Sequence, residues 1–386
     1  MSGIYVHVPF CRTACHYCDF HFSTALSGVD SFVQAMLKEI EMRRDSGVWK
    51  DVCFETLYLG GGTPSVLDAS DLKLIVESIN SAFRNPLGQN AVFLESTIEV
   101  NPEDVNVESL KGWRAAGFDR LSIGVQSFHD SQLKWMNRKH SGKEALRAVE
   151  LASRAGFNRI SVDLIYGLPQ SEGDWAKTVE TALSLPIDHI SCYALTVEPR
   201  TVLGARVKKG IEVEMPDERL ERDYLFICDS AKKAGFDHYE VSNWAKTEKS
   251  RAVHNSSYWS GAPYLGLGPG AHGFRSNERY SVVSNNHLYI SSINSGKLPD
   301  TSEVLSKRDR CNEVMMTGLR TAKGVDFELL EKKWGYNPAK INSTQWNARL
   351  KSGDIIPVRA DNEIYFRIPE KKWLIGDSIA SDLFVT

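Results

Sequence analysis

The chain has 386 residues, of which 42% are hydrophobic and 25% charged, enough for one large domain with a smaller one beside it. Its 46 basic and 49 acidic residues give a net charge of -3, which argues against general nucleic-acid binding through phosphate neutralisation. No stretch approaches the roughly 20 apolar residues that span a bilayer, and we find no signal peptide. We therefore expect a reduced, cytoplasmic protein.

The first predicted strand, near Ile4, leads directly into three closely spaced cysteines, Cys11, Cys15 and Cys18, in the pattern CxxxCxxC. A cubane iron–sulfur cluster takes four ligands, so three cysteines leave one iron open for an exchangeable ligand. Open coordination is typical of reactive metal sites rather than structural ones. The spacing therefore indicates chemistry at this loop.

Two other interpretations of these cysteines remain open. A zinc site of the Cys3His type could be completed by His7, His16 or His21, although zinc ligands usually come as two separated pairs. Disulfides need an oxidising compartment, which the lack of a signal peptide argues against. The other four cysteines occur in apolar or helical contexts, where we expect small buried side chains: Cys53, Cys192, Cys228 and Cys311.

Six short apolar runs, each followed by a helical pattern, predict a parallel sheet. The strands begin near Ile4, Thr56, Thr97, Arg120, Arg159 and His189. After the second and later strands, helices are expected at about 71–83, 107–116, 143–155, 174–185 and 217–234. Three helices stop at Ala-Gly-Phe, where a left-handed glycine can end a helix. Six units are too few for a full TIM barrel, so we expect an α/β fold, a partial (β/α)6 barrel open at one side.

Polar or glycine-rich segments follow the predicted strands at the carboxyl ends, where sites in such parallel folds lie. The glycines of 60–64 let a ligand approach the backbone, and Glu99 could accept hydrogen bonds from ribose hydroxyls. Asp163 lies among apolar neighbours, where an unpaired acid is costly to bury. Gln126 ends the fourth strand. Each residue alone has an ordinary structural explanation, but their convergence on one rim predicts a site.

From about Ser302 the pattern changes to helices near 309–319 and 327–333 and a short strand at 363–368. This change indicates a small, mostly helical C-terminal domain, and a winged-helix-like fold is one arrangement that fits it. No basic cluster favours nucleic-acid binding there, and covering the open barrel side is the better role. We divide the chain into a barrel (1–240), a connecting segment (241–300) and the C-terminal domain (301–386).

Nine segments of the chain resemble the radical S-adenosylmethionine superfamily, and within it the coproporphyrinogen-dehydrogenase-like branch. In order, they are YVHVPFCRTACHYCDF, LYLGGGTPS, EVNPED, RLSIGVQSF, NRKH, VDLIYGLP, YALTVEPRT, YEVSNWA and GLGPGAHG. Together they span roughly residues 4 to 274. Chance agreement over so many ordered segments is negligible.

The resemblance implies a [4Fe–4S] cluster on the three cysteines, with its fourth iron chelated by the amino and carboxylate groups of S-adenosylmethionine. Carried over by position, Tyr5, Gly61 and Glu99 would hold this cofactor. Further positions match those that contact a second S-adenosylmethionine in the dehydrogenase: Tyr17, Gly62, Thr63, Gln126, Arg138, Asp163 and Ala194. Whether one or two molecules bind here remains open.

Three features separate two subfamilies within this branch. The dehydrogenases look like CxxxCxxCxC, whereas the place of their fourth cysteine is Phe20 here, as in HemW-type haem chaperones. The dehydrogenases also have an N-terminal extension ahead of the first strand. The segment 254–259, HNSSYW, resembles a motif of the HemW type. Haem candidates are therefore His254, Tyr258 and Trp259, with His272 as a rival iron ligand.

We expect a haem chaperone that binds haem, a [4Fe–4S] cluster and S-adenosylmethionine and delivers haem to acceptor proteins, with membrane-bound respiratory proteins among the candidates. Peripheral membrane attachment is an option for such a cytoplasmic protein. The alternative is an oxygen-independent coproporphyrinogen III oxidase, which uses a 5′-deoxyadenosyl radical for oxidative decarboxylation. Phe20 argues against that activity. The haem ligand, cofactor cleavage in turnover and the oligomeric state remain open.

Overall fold

Six parallel strands form the centre of the molecule in the computed structural model, which describes residues 1–85, 93–169, 173–360 and 363–386. Each strand pairs with the next in chain order. They are β1 (Gly3–Val8), β2 (Thr56–Gly61), β3 (Glu95–Val100), β4 (Arg120–Gln126), β5 (Arg159–Tyr166) and β6 (His189–Ala194). The six predicted strands and the partial barrel are confirmed.

Alternating side chains give the central strands one apolar and one polar face, since successive residues of a strand point to opposite sides. On β2, Leu57 and Leu59 belong to the hydrophobic core, whereas Tyr58 lies on the other face. The other strands follow the same rule, and their polar residues contact one another across strands, as in the pairs Tyr58–Glu99 and Ser122–Asp163. The barrel interior is therefore polar and leads to the carboxyl ends of the strands.

The barrel helices with predicted bounds begin and end within two residues of the expected positions, whereas the short helices at 130–135 and 202–208 were not predicted. In chain order, the barrel helices are α1 (Val29–Asp45), α2 (Ala69–Ala82), α3 (Val107–Ala115), α4 (Asp130–Trp135), α5 (Gly142–Arg154), α6 (Asp174–Ser184), α7 (Val202–Lys208) and α8 (Asp217–Lys233). Gly117, Gly156 and Gly235 follow three of them with φ of 101°, 80° and 81°. The left-handed glycine stop predicted from Ala-Gly-Phe is confirmed.

The sheet continues beyond the six parallel strands on both sides. Its full order is β12-β11-β10-β9-β1-β2-β3-β4-β5-β6-β8-β7, so β1 and β6 do not pair with each other. The added strands are β7 (Asp237–Glu240), β8 (Asn243–Ala245), β9 (Tyr264–Leu267), β10 (His272–Arg275), β11 (Glu278–Val282) and β12 (Asp300–Val304). The segment 241–300 thus contributes strands as well as α9 (Val253–Trp259) and α10 (Asn286–Asn294).

The C-terminal part is mostly helical, with one small antiparallel sheet. Its elements are α11 (Lys307–Gly318), α12 (Phe327–Trp334), α13 (Pro338–Ile341), α14 (Ser343–Lys351), β13 (Ile356–Ala360), β14 (Glu363–Arg367) and α15 (Gly376–Ser381). The rings of Phe327, Trp346 and Phe366 pack together with centroids 4.8 to 5.3 Å apart. The domain limits at 240 and 300 stay a prediction.

Two further findings bear on the expectations. Cys192, Cys228 and Cys311 are buried as expected, but Cys53 is exposed, so that expectation was wrong for Cys53. It lies between α1 and β2, where it forms an isolated bridge with Arg84. In the part of the chain that the structure describes, no helix has the length and apolar character needed to cross a membrane.

Candidate cofactor site

A cavity of about 610 Å³ lies at the carboxyl ends of the parallel strands and brings together residues from most of the predicted segments. Its volume is in the range of ordinary small-molecule sites. Twelve of the residues singled out from the sequence line it: Cys11, Cys15, Tyr17, Cys18, Gly61, Gly62, Thr63, Glu99, Gln126, Arg138, Asp163 and Ala194. Phe20 also borders the cavity, with 73% of its surface exposed.

Two donors from other segments reach the sulfur atoms of the cysteine loop. The Thr63 hydroxyl donates to Cys11 Sγ at 3.4 Å, and Arg138 Nη1 donates to Cys15 Sγ at 3.6 Å. Burial raises the pKa of both Cys11 and Cys18 to about 11. A metal that binds here must therefore displace protons from thiols, and the two donors would then stabilise the negative charge on sulfur.

The geometry of the loop distinguishes a cluster from a single zinc ion. Ligands of one tetrahedral zinc lie about 3.8 Å apart, since each Zn–S bond is about 2.3 Å. Among the described residues, the three sulfur atoms do not form a group within 4.8 Å of one another. Such spread fits several irons better than one ion. None of His7, His16 and His21 lines the described part of the cavity.

Those three histidines have other contacts. His7 Nε2 lies 2.8 Å from the carbonyl oxygen of His21, and His16 Nδ1 lies 2.8 Å from the carbonyl oxygen of Trp135. His21 Nε2 lies 2.7 Å from Asn286 Oδ1 on α10. These contacts fix the loop around the cysteines, and they disfavour a Cys3His site.

The glycine run after β2 has a backbone that other residues could not adopt easily. Gly61 has φ of 104°, and a Cβ there would lie 2.6 Å from the His7 ring. A Cβ on Gly62 would lie 2.6 Å from the carbonyl oxygen of Phe10. Gly62 N–H donates to Val8 O at 2.9 Å, which ties the run to β1. The glycines therefore let β2 and the cysteine loop approach closely at the cavity.

A buried carboxylate, Glu99, lies at the wall of the cavity on β3. Tyr58 donates its hydroxyl to Glu99 Oε1 at 2.7 Å, and Gly61 N–H donates to Oε2 at 3.3 Å. Burial raises the pKa of Glu99 to about 7, with the nearby Asp163 adding in the same direction. Asp163 accepts from the Ser122 hydroxyl at 3.0 Å, so the acid on β5 is not unpaired. Two acids with raised pKa values thus face the cavity.

Strained backbone marks the segments that position Gln126 and Arg138. Gln126 has φ of 65° and Asn137 has φ of 63°, values that cost non-glycine residues on the order of 1–3 kcal/mol. A register shift in the β4–β5 pairing accompanies the Gln126 turn. Arg138 Nη2 donates to Asn101 Oδ1 at 2.7 Å and to Gly124 O at 2.6 Å. Backbone strain of this kind concentrates at functional sites.

Tyr5 does not line the described cavity. It lies on the inner face of β1, with its hydroxyl 3.1 Å from His7 Nδ1 and its ring stacked on Tyr58 at 6.1 Å. Tyr58 was missed by the sequence reasoning, although the alternation along Thr56-Leu-Tyr-Leu59 places it on the same face of β2 as Gly60. Tyr5 is thus connected to Glu99 through Tyr58.

The HNSSYW segment forms α9 at the opposite end of the strands from the cavity. Its first turn is fixed by Glu95 at the start of β3, which accepts from the N–H groups of Val253 and His254 at 2.9 Å each. His254 is 1% exposed, and its Nδ1 lies 2.8 Å from Thr56 Oγ1 at the start of β2. The motif therefore closes the base of the barrel.

Both ring nitrogens of His254 have partners. The Nε2 atom lies 2.8 Å from Tyr258 Oη, and the ring stacks on Tyr58 at 5.1 Å. Burial lowers the pKa of His254 to about 4, so the ring is neutral. One hydroxyl then donates to the ring and the other accepts from it. The motif histidine is held on both sides within the protein.

Trp259 and His272, two of the other haem candidates, are more exposed than His254. Trp259 is partly exposed, and the Arg320 guanidinium lies over its ring at 5.6 Å. His272 is exposed at the start of β10. It follows Gly270, at which an added Cβ would lie 3.1 Å from His21 Cβ, so this turn packs on the end of the cysteine loop. His272 is therefore on the cavity side of the sheet.

Comparison with known proteins identifies the family. Residues 5–182 match the Radical SAM superfamily model. The chain is 35% identical over 339 residues to the heme chaperone HemW of Bacillus subtilis, covering 87% of each chain, and 34% identical over 348 residues to that of Lactococcus lactis, covering 89% of this chain and 88% of the relative. Coproporphyrinogen III oxidase (HemN) from Escherichia coli, a radical SAM enzyme, superposes with a TM-score of 0.81 over 100% of this chain and 90% of its own at 21% identity, which shows a shared fold. The chain therefore belongs to the HemW family of the radical SAM superfamily.

Proposed function

We propose that this protein is a haem chaperone that binds haem together with a [4Fe–4S] cluster and S-adenosylmethionine and delivers the haem to acceptor proteins. The observation that carries the proposal is the 35% identity over 87% of both chains with a protein named heme chaperone HemW. Membership of the radical SAM superfamily implies the cluster and S-adenosylmethionine. Phe20, rather than a fourth cysteine, supports the chaperone over the oxidase.

In this proposal, Cys11, Cys15 and Cys18 hold the cluster. Their spread, their shared cavity and the donors Thr63 and Arg138 support this donor set. When bound, such a cluster supplies an electron and one iron that is open to an exchangeable ligand. Thr63 and Arg138 would stabilise charge on the sulfur atoms, and burial would limit access of water to them.

Gly61 and Glu99 are the residues that we propose to contact S-adenosylmethionine. Tyr5 would act indirectly, because its ring stacks on Tyr58, whose hydroxyl donates to Glu99. The Glu99 carboxylate offers acceptors for ribose hydroxyls or for the cofactor's ammonium group. Contacts with a second molecule are proposed for Tyr17, Gly62, Thr63, Gln126, Arg138, Asp163 and Ala194. All seven border the same cavity. The number of S-adenosylmethionine molecules bound per chain, one or two, would show whether a second molecule binds there.

For haem, we propose His272 as the iron ligand, since it is exposed and follows the turn at Gly270, which packs against His21 at the end of the cysteine loop. Ligation by His254 would require its ring to leave both Thr56 and Tyr258, with loss of both hydrogen bonds. An exposed ligand also suits transfer, because an acceptor can reach the haem without unfolding its carrier. Trp259 offers a partly exposed aromatic face as a second contact.

The experiment reconstitutes the cluster under anaerobic conditions and titrates the protein with haem, following the Soret absorbance. Transfer is then measured to an apo-haemoprotein separated from the donor by an affinity tag, with cluster-free protein as the control. A parallel reaction contains coproporphyrinogen III, S-adenosylmethionine and a reductant. We expect one bound haem that moves to the acceptor and no protoporphyrinogen. Robust protoporphyrinogen formation without stable haem binding would overturn the proposal.

The acceptors that we propose are membrane-bound respiratory proteins, reached by a cytoplasmic carrier at the membrane surface. Fractionation of cells that express the tagged protein tests this, with crosslinking during haem limitation to identify the acceptor. Recovery only in the soluble fraction, with a soluble haemoprotein as the crosslinked partner, would contradict it.

A further inference from the structure

A second group of metal-ligating side chains lies away from the cofactor cavity, between the barrel and the C-terminal part. Cys228 is on the buried face of α8, His238 is on the edge strand β7, and Glu370 begins a short 3-10 helix, Glu370–Ile375. Their candidate ligand atoms all lie within 4.8 Å of one another. This is the one such group among the residues that the structure describes.

The distances are close to those that a single tetrahedral ion requires. Cys228 Sγ lies 3.8 Å from His238 Nδ1, and Glu370 Oε1 lies 2.9 Å from the same nitrogen. Zinc bonds of about 2.3 Å to sulfur and about 2.1 Å to nitrogen and oxygen place these pairs about 3.6 Å and about 3.4 Å apart. Shifts of a few tenths of an ångström would suffice to bind an ion.

The His238 ring has acceptor atoms beside both of its nitrogens, but a neutral ring carries only one proton. His238 Nε2 lies 3.3 Å from the Val241 carbonyl oxygen, and Nδ1 lies 2.9 Å from Glu370 Oε1. The carbonyl oxygen and an ionised carboxylate can only accept, so the single proton of a neutral ring serves one of the two contacts. A second ring proton, a proton on the Glu370 carboxyl or a cation beside Nδ1 would satisfy both.

The surroundings favour a cation. Metal-bound histidines commonly donate their other N–H to a backbone carbonyl, and His238 Nε2 lies 3.3 Å from the Val241 carbonyl oxygen, in place for such a bond. The ring is clamped by Trp244, stacked at 4.0 Å, and by Trp373, edge-on at 4.6 Å, which fixes its direction. Glu370 has 34% of its side chain exposed, and this gives an ion an entry path that the buried Cys228 and His238 lack.

We propose that Cys228, His238 and Glu370 bind one divalent transition-metal cation of the zinc class, which fastens the C-terminal segment to the barrel. A thiolate, an imidazole and a carboxylate are ligands that Zn²⁺ accepts together. The three residues come from separate elements, so a bound ion would close the long chain between α8 and the final helices. Loss of the ion should free the C-terminal segment before the barrel.

The test uses full-length protein with its cluster reconstituted, so that the loop cysteines are occupied. Zinc retained after gel filtration is measured by elemental analysis at micromolar free zinc, and the melting temperature is recorded with and without zinc. We expect one zinc per chain and a higher melting temperature with zinc. The variants C228S and E370Q should lower zinc affinity by more than about 100-fold, beyond the effect of losing an outer contact.

The control is C311A, which removes another buried cysteine, on α11, that has no place in the group. It should retain one zinc. E370Q changes a partly exposed residue conservatively and keeps the variant folded even where C228S does not. Wild-type protein without retained zinc, or E370Q and C228S proteins with wild-type zinc content, would show that Cys228, His238 and Glu370 do not bind the ion. Cobalt substitution with tetrahedral visible absorption gives an independent check on the site.

Discussion

The Tyr58 hydroxyl donates to Glu99 Oε1 at 2.7 Å, and the ring of Tyr58 stacks on the ring of His254 with the centroids 5.1 Å apart. Tyr58 thus connects the carboxylate at the cofactor cavity with the histidine that closes the barrel base. Because side chains on the inner face of a strand lie two residues apart, Thr56, Tyr58 and Gly60 follow one another from the base to the cavity. Tyr58 on β2 therefore contacts both the HNSSYW motif and a residue of the cavity.

Tyr58→Phe should destabilise the apoprotein by about 1–3 kcal/mol, because it removes the donor from a buried carboxylate. The effect should be smaller in a Glu99→Gln background, since hydrogen bonds to charged acceptors are stronger than those to neutral ones. Urea unfolding of the four proteins of this double-mutant cycle measures the coupling. Equal effects of Tyr58→Phe in both backgrounds would show that the two residues do not interact.

Glu99 should lower the stability of the apoprotein as the pH rises from about 4.5 to 7, whereas the buried His7 and His254, whose pKa values burial lowers to about 4, contribute in the opposite direction. Burial raises the pKa of Glu99 to about 7, so the folded protein keeps a proton that the unfolded chain loses near pH 4.3. The unfolded state then binds fewer protons, which lowers the free energy of unfolding across this window. Glu99→Gln should remove on the order of 2–4 kcal/mol of this pH dependence.

Unfolding in urea at pH 5 and pH 8 checks the effect. Glu240, whose pKa burial also raises to about 7, makes a separate contribution of the same sign, so Glu240→Gln serves as the comparison. The double variant should lose both contributions, so the change in its stability from pH 5 to pH 8 should be the least negative of the four proteins. A Glu99→Gln profile parallel to that of the wild type would contradict the assignment.

Replacing the two histidine candidates should separate stability from haem binding. His254→Ala leaves the Thr56 and Tyr258 hydroxyls without their partner and should cost about 2–4 kcal/mol of apoprotein stability. His272→Ala removes an exposed side chain and should change stability by less than about 0.5 kcal/mol. In haem titrations, His272→Ala should shift the Soret band and weaken binding, whereas folded His254→Ala protein should bind normally. The reverse pattern in the titrations would assign the ligand to His254.

Cysteine substitutions should show which thiols hold the cluster. Cys11→Ala should lower the iron content after anaerobic reconstitution to less than about a tenth of the wild-type value, since a cluster held by three thiolates loses an essential ligand. Cys53→Ala, which removes an exposed thiol outside the cavity, is the matched control and should retain full iron and sulfide. Zinc without iron in the wild-type protein after anaerobic purification would show that these cysteines bind a structural zinc ion and not a cluster.

Thr63→Val should make the reduction potential of the cluster more negative. The Thr63 hydroxyl donates to Cys11 Sγ, and hydrogen bonds to cluster sulfur stabilise the reduced, more negative state. Iron content should stay at the wild-type level, because no ligand is lost. Redox titration followed by electron paramagnetic resonance measures the potential. An unchanged potential would mean that the hydroxyl turns away from sulfur when the cluster binds.

The sequence by itself determined the local chemistry and the order of the elements. The cysteine spacing, the glycine run after β2 and the six strand–helix units could be predicted because each depends on residues close together in the chain. Parallel strands place their carboxyl ends at one rim, so the convergence of Glu99, Gln126 and Asp163 followed as well. Twelve of the residues singled out from the sequence line one cavity.

Only the tertiary structure decided which polar groups contact one another. The pairing of β9 with β1, the contact of His254 with Thr56, and the meeting of Cys228 with Glu370 join residues 142 to 261 positions apart in the chain. Such contacts depend on strand register and helix packing, which no local pattern encodes. The sequence marked His254 as a candidate ligand, but the partners on both of its ring nitrogens became visible only once α9 was packed under the barrel.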